Sequence, residues 1–107
     1  MRVQRYIMQN GVPTSENRIL AWLQWMRENS DLIKVTKVGR VVVRTVFVGW
    51  GHESRTVRPY LFNTTISGDK KRQRIYRYKA LDDAREGHAR VVEKLRKQNG
   101  KTIIAML

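Results

Sequence analysis

The stretch VVVRTVFVGWG, residues 41–51, decides how the rest of this chain is read. It is dominated by β-branched side chains, carries a single charge at Arg44, and ends at two glycines that bracket Trp50. That is the pattern of a central strand running into a turn. The next extended run, YLFNTTI at residues 60–66, lies near enough to return beside it as an antiparallel partner, with WGHESRTVRP as the connection. Upstream, LIKVTKV at residues 32–38 and the Gly39-Arg40 turn supply a hairpin partner. Downstream, the turn Ser67-Gly68-Asp69-Lys70 leads into a fourth strand over residues 72–78. Together these segments predict a four-stranded meander.

Outside the meander, residues 2–9 alternate loosely and stop at Asn10-Gly11, which suggests a short edge strand with its arginines facing water. Val12-Pro13-Thr14-Ser15 then reads as a helix start, with Thr14 or Ser15 as N-cap and Glu16 in the first turn. That helix is expected to run to about Asn29. Ile19, Trp22, Leu23 and Met26 recur at helical spacing with Trp25 beside them, a stripe that suits core packing better than a base-stacking platform. A second helix is marked by the stripe Leu81, Ala84, His88, Val91, Val92 and Leu95. Asp82, Asp83 and Glu86 stand at its positive end, Arg90, Lys94, Arg96 and Lys97 at its negative end, and Asn99-Gly100 serves as the stop. The apolar tail KTIIAML, residues 101–107, is expected to add a strand, pack beneath the helices, form a subunit contact or fray.

The chain has 107 residues, which is one domain's length and enough for a real core. It has no cysteine, so disulfides, thiolate metal sites and a Cys nucleophile are excluded together. No apolar run approaches a membrane span, and the start lacks a signal-peptide core, which predicts a cytoplasmic location. Twenty-two Lys and Arg against nine Asp and Glu give a formal charge of +13. Self-repulsion of that size is offset most directly by a polyanionic partner, although plain solubility also accounts for surface charge.

The densest cationic cluster is Lys70, Lys71, Arg72, Arg74, Arg77 and Lys79, interleaved with Tyr76 and Tyr78. Strand alternation puts Arg72, Arg74, Tyr76 and Tyr78 on one face. Guanidinium forks for phosphate beside rings for bases make that face the candidate nucleic-acid contact, with Lys70, Lys71, Arg55 and Arg58 as electrostatic support. His52 lies in the loop after the central strand. His88, next to Gly87 on the apolar stripe, reads as a hydrogen-bonded core histidine. Two histidines without cysteine or clustered carboxylates match no metal-ligand spacing, and no phosphate-loop, zincin or nucleophile-elbow motif is present. No catalytic residue, metal or cofactor is assigned.

Taken together, Trp22-x-x-Trp25-Met26, the run from Val43 to His52, Leu61-Phe62-Asn63-Thr64, and Arg77-Tyr78 followed by Asp82-Asp83-Ala84 and Gly87-His88 resemble a family of small uncharacterised phage and prophage proteins. Those read WxxWF, VSTVFLGLDH, LLFETMVFGG and RYxTWEEAxAGH in the same order. The resemblance implies a phage origin and a shared architecture, and no activity. It draws attention to the loop and helix histidines, yet this chain has Gly51 where the family has Asp and Asn63 where it has Glu.

These readings converge on a single α+β domain: a mostly antiparallel sheet of four to five strands with two long helices packed on one face. The expected function is that of a non-enzymatic phage accessory protein that binds nucleic acid through a basic, Tyr-containing sheet face. The alternative is a phage-encoded inhibitor, anti-CRISPR-like or another host-takeover factor, that binds a host nucleoprotein complex through an acidic or nucleic-acid-binding host protein. Neither reading involves a membrane, and the apolar tail leaves room for a homo-oligomer.

Overall fold

The computed structural model describes residues 2–54, 56–68 and 74–106. In chain order the elements are β1 (Arg2–Gln9), β2 (Val12–Ser15), α1 (Ile19–Glu28), β3 (Leu32–Val38), β4 (Val41–Phe47), β5 (Trp50–Glu53), β6 (Phe62–Ser67), β7 (Ile75–Tyr78) and α2 (Leu81–Met106). They build an α+β fold with two antiparallel sheets rather than one. No helix among the described residues is long and apolar enough to cross a membrane.

The larger sheet has the order β3-β4-β6-β7, the meander that the central stretch predicts. Its register settles which side chains share a face. Thr36, Val43 and Ile66 form one row, Lys34, Thr45, Thr64 and Tyr76 the next, and Phe47, Phe62 and Tyr78 the third. Helix α2 covers this face and packs against all four strands. Burial follows the alternation: Val43, Thr45 and Phe47 are buried while Arg44 between them is exposed.

The core divides into two apolar clusters. Phe47, Leu61, Phe62, Leu81 and Ala84 form one, Val38, Val43, Val91 and Val92 the other. Between them lies a polar seam. His88, only 1% exposed, holds Thr45 Oγ1 through Nδ1 and Thr36 Oγ1 through Nε2, both at 2.8 Å, and Thr45 in turn meets Thr64 Oγ1 at 2.6 Å. Burial, with the charge of Lys34 adding to it, holds the His88 pKa below the ordinary histidine value. Gly87 precedes it because a side chain there would run into the ring of Tyr78.

The smaller sheet, order β2-β1-β5, corrects three expectations. First, β1 is its central strand and not an edge. Second, Val12–Ser15 is a strand: Asn10 and Gly11 both have positive φ, 52° and 79°, the geometry of a two-residue hairpin turn, so the chain doubles back and pairs Gln9 with Val12. Pro13 is tolerated because β2 is an edge strand, where a missing N–H costs no ladder bond. Third, the connection after the central strand is itself partly a strand, because β5 crosses over to pair Arg2 with Glu53 and Arg5 with Trp50.

Helix α1 ends where expected, with Asn29 as C-cap, but it starts at Ile19 behind Arg18, and neither Thr14 nor Ser15 caps it. None of its residues is fully buried. Trp25 and Met26 reach the Phe47 cluster, with Trp25 edge-on to Phe47 at 5.9 Å, while Ile19 and Leu23 of the expected core stripe remain exposed. Trp22 instead ties α1 to β1 and to the link between β4 and β5, its indole Nε1–H shared between the carbonyls of Tyr6 at 3.1 Å and Gly49 at 3.0 Å. The main backing of α1 is β1, so only α2 lies along the larger sheet. Helix α2 passes through Asn99-Gly100 and continues to Met106, so the apolar tail extends the helix. A single glycine costs a helix only about 1 kcal/mol, and the residues beyond it are adequate helix formers.

Candidate nucleic-acid interface

The face of the larger sheet opposite α2 carries the cations. Three rows cross it: Lys37, Val42 and Ser67; then Val35, Arg44, Thr65 and Ile75; then Leu32, Val46, Asn63 and Arg77. Lys37, Arg44 and Arg77 therefore step one row at a time from β3 to β4 to β7 and trace a diagonal across the sheet. Strand spacing and rise separate the Cα atoms by about 8 Å from Lys37 to Arg44 and about 12 Å from Arg44 to Arg77. All three side chains are exposed, and none of the four strands contains an Asp or Glu. Apolar neighbours flank the diagonal, with Val35 47% and Ile75 54% exposed.

The residues expected to form the contact fare differently. Lys70, Lys71, Arg72 and Arg55 lie outside the described residues. Arg74 is exposed just ahead of β7, where its carbonyl accepts the Ile66 N–H at 3.3 Å. Tyr76 and Tyr78 do share a face, as alternation requires, but it is the face under α2: Tyr76 packs on the valine cluster and Tyr78 on the phenylalanine cluster. Opposition to Thr64 and Phe62, both fully buried, turns them inward, so neither ring is presented for stacking on the open face. Arg77, which alternation assigns to the opposite face from the tyrosines, is the strand's contribution to the open side. Arg44 stands out in the sequence as the single charge of its strand, and the signal that selects it together with Lys37 is their offset of one from the buried residues of β4 and β3.

The two histidines do not meet. Both ring nitrogens of His88 are occupied by threonine hydroxyls, whereas His52 is exposed on the smaller sheet with its ring 6.3 Å from that of Trp50. Among the described residues no group of three His, Cys, Asp or Glu side chains converges. At Gly51 any side chain would collide with Pro59.

Arg58 belongs to a second feature, a half-open cavity of about 400 Å³ where the two sheets meet the start of α2. Its polar wall contains Tyr6, Glu53, Arg58, Lys79 and Asp82. The Tyr6 hydroxyl donates to Glu53 Oε2 at 2.6 Å, and burial together with the adjoining carboxylate pushes the phenol up to about 12. Lys79 stands 4.9 Å from the Tyr60 ring centre. No protein-family model matches this chain, and no curated protein or solved structure matches it either.

Proposed function

We propose that this protein is a non-enzymatic nucleic-acid-binding protein, a phage accessory factor in the sense its motifs suggest, and that its contact surface is the open face of the larger sheet. The observation that carries the reading is the diagonal of Lys37, Arg44 and Arg77 on an acid-free sheet face in a chain of charge +13. Cations held on strands approach phosphates from fixed positions. Asn63 and Thr65, on β6 between the arginines, add neutral hydrogen-bonding groups beside them. With the tyrosines turned inward, the face holds no aromatic ring, so backbone contact outweighs base stacking.

The test is a fluorescence-anisotropy titration against duplex DNA, single-stranded DNA and RNA at several salt concentrations, beside a control protein of similar charge. Replacing Arg44 and Arg77 together by Ala is expected to lower the slope of log affinity against log salt by about 2, because each arginine neutralises one phosphate. An unchanged slope would remove the sheet face from consideration.

The apolar residues flanking the diagonal favour one other reading, an inhibitor that lays this face on an acidic, partly apolar surface of a host nucleoprotein complex. That reading predicts a stoichiometric complex with a host protein and nucleic-acid affinity no greater than the control's.

A further inference from the structure

We infer that the cavity between the two sheets binds a single nucleotide unit, one with a phosphate and an amino-bearing base. The inference rests on the nucleic-acid reading and gives Arg58 a role distinct from the sheet face. A cavity of about 400 Å³ falls within the size range of small-molecule sites. Its polar wall balances two cations, Arg58 and Lys79, against two carboxylates, Glu53 and Asp82. A simple anion meets the carboxylates and a simple cation meets the basic groups, so the wall suits a ligand that is anionic at one end and a hydrogen-bond donor at the other.

A nucleotide has that chemistry. Its phosphate calls for a guanidinium, and Arg58 makes no ion pair among the described residues. The exocyclic amino group of adenine, cytosine or guanine calls for an acceptor. Glu53 uses Oε2 for the Tyr6 hydroxyl, and its Oε1 has no hydrogen-bond partner among the described residues. The phenol remains protonated and orients that carboxylate. Pro13, Pro59 and Leu61 supply apolar wall against which a base can pack. Uracil and thymine present a carbonyl in place of cytosine's amino group, so a base seated with that edge on Glu53 turns an acceptor toward the carboxylate and must shift to offer its N3–H instead, which selects against them.

The test uses the full chain and nuclear magnetic resonance titrations with AMP, CMP, UMP, adenosine and inorganic phosphate. AMP and CMP are expected to shift the amides around Tyr6, Glu53 and Leu81 and to bind roughly tenfold more tightly than UMP, the worth of one charge-assisted hydrogen bond. Arg58→Ala is expected to weaken AMP, CMP and UMP alike. Glu53→Gln, whose amide oxygen still accepts from Tyr6 while its NH2 replaces the free carboxylate oxygen, is expected to weaken AMP and CMP and to strengthen UMP, whose carbonyl can accept from the amide. Adenosine binding as well as AMP, UMP binding as well as CMP, or no shift at the cavity at millimolar nucleotide would each overturn the proposal. Thermal melts of both variants confirm folding, and Arg58→Lys, which keeps the charge and loses the fork, should restore part of the affinity if Arg58→Ala proves unstable. The same titrations on the Arg44→Ala/Arg77→Ala protein separate the two surfaces. Loss of oligonucleotide binding with the cavity intact concerns the sheet face alone, and oligonucleotide binding with a silent cavity overturns the cavity alone.

Discussion

Replacing Thr45 by Val tests whether the polar seam under α2 is a network or a chance set of neighbours. The substitution keeps shape and β-branching and removes one hydroxyl. That hydroxyl lies between two partners, His88 Nδ1 at 2.8 Å and Thr64 Oγ1 at 2.6 Å, and all three residues are at most 1% exposed. Two buried polar groups lose a partner together, at about 1–3 kcal/mol each, so a loss of about 3 kcal/mol is expected. Thr36→Val removes only one bond, from a half-buried residue, and should cost about 1 kcal/mol. The triple replacement His88→Leu, Thr45→Val and Thr64→Val eliminates the buried polar groups along with their bonds and should return most of the stability. Urea unfolding followed by tryptophan fluorescence reads all three. With a denaturant slope of about 1.5 kcal/mol per molar, Thr45→Val should lower the midpoint by about 2 M. A midpoint within experimental error of wild type, or a Thr36→Val effect as large as that of Thr45→Val, would refute the network.

Two further outcomes follow from the same interface. Gly87→Ala should raise helix propensity by about 1 kcal/mol, yet its methyl group meets the Tyr78 ring, which is packed against the phenylalanine cluster and must shift to admit it; a net loss of about 1–2 kcal/mol is expected, and a raised Tm in a thermal melt would contradict it. Because His88 is held below the ordinary histidine pKa in the folded protein, acidification protonates the unfolded chain first. Stability should therefore decline as pH falls below about 6.5 and level off beneath the folded-state pKa. Urea midpoints measured from neutral to mildly acidic pH should show this decline in the wild type and lose it in the His88→Leu triple variant, and a midpoint that holds steady or rises on acidification would contradict it.

The meander was legible because its strands report their own pairing. Alternation in residues 41–47 identifies the buried face, and each neighbouring run is one short turn away. The helix stripe through His88 was equally readable, and so was the core character of that histidine. What escaped is the smaller sheet. Its strands β1 and β2 are half-polar, and β5 is a four-residue segment beginning Trp-Gly whose partner lies far up the chain, so no local pattern announces the pairing. Asn10-Gly11 announced a turn, but Thr14, Ser15 and Glu16 spell a helix start after it, and strand pairing across that turn made a hairpin instead. At the candidate site, alternation correctly put Tyr76 with Tyr78 and apart from Arg77. Which of the two faces α2 would cover was not written in β7 itself; it follows from opposition to Phe62 and Thr64 on the neighbouring strand.

Pairing of β1 with β5 also has a kinetic side. Tyr6 and Glu53, joined across the cavity wall, are 47 residues apart in the chain, whereas neighbouring strands of the meander are linked far more locally. Closing a loop of that length costs more chain entropy before any contact rewards it than a tight turn does, so the β3-β4 hairpin is positioned to form early and the N-terminal hairpin to dock late. During synthesis β1 emerges before β5, the strand that closes its second edge. The cavity is thus among the last parts of the molecule to take shape, and its wall exists only in chains that have finished folding.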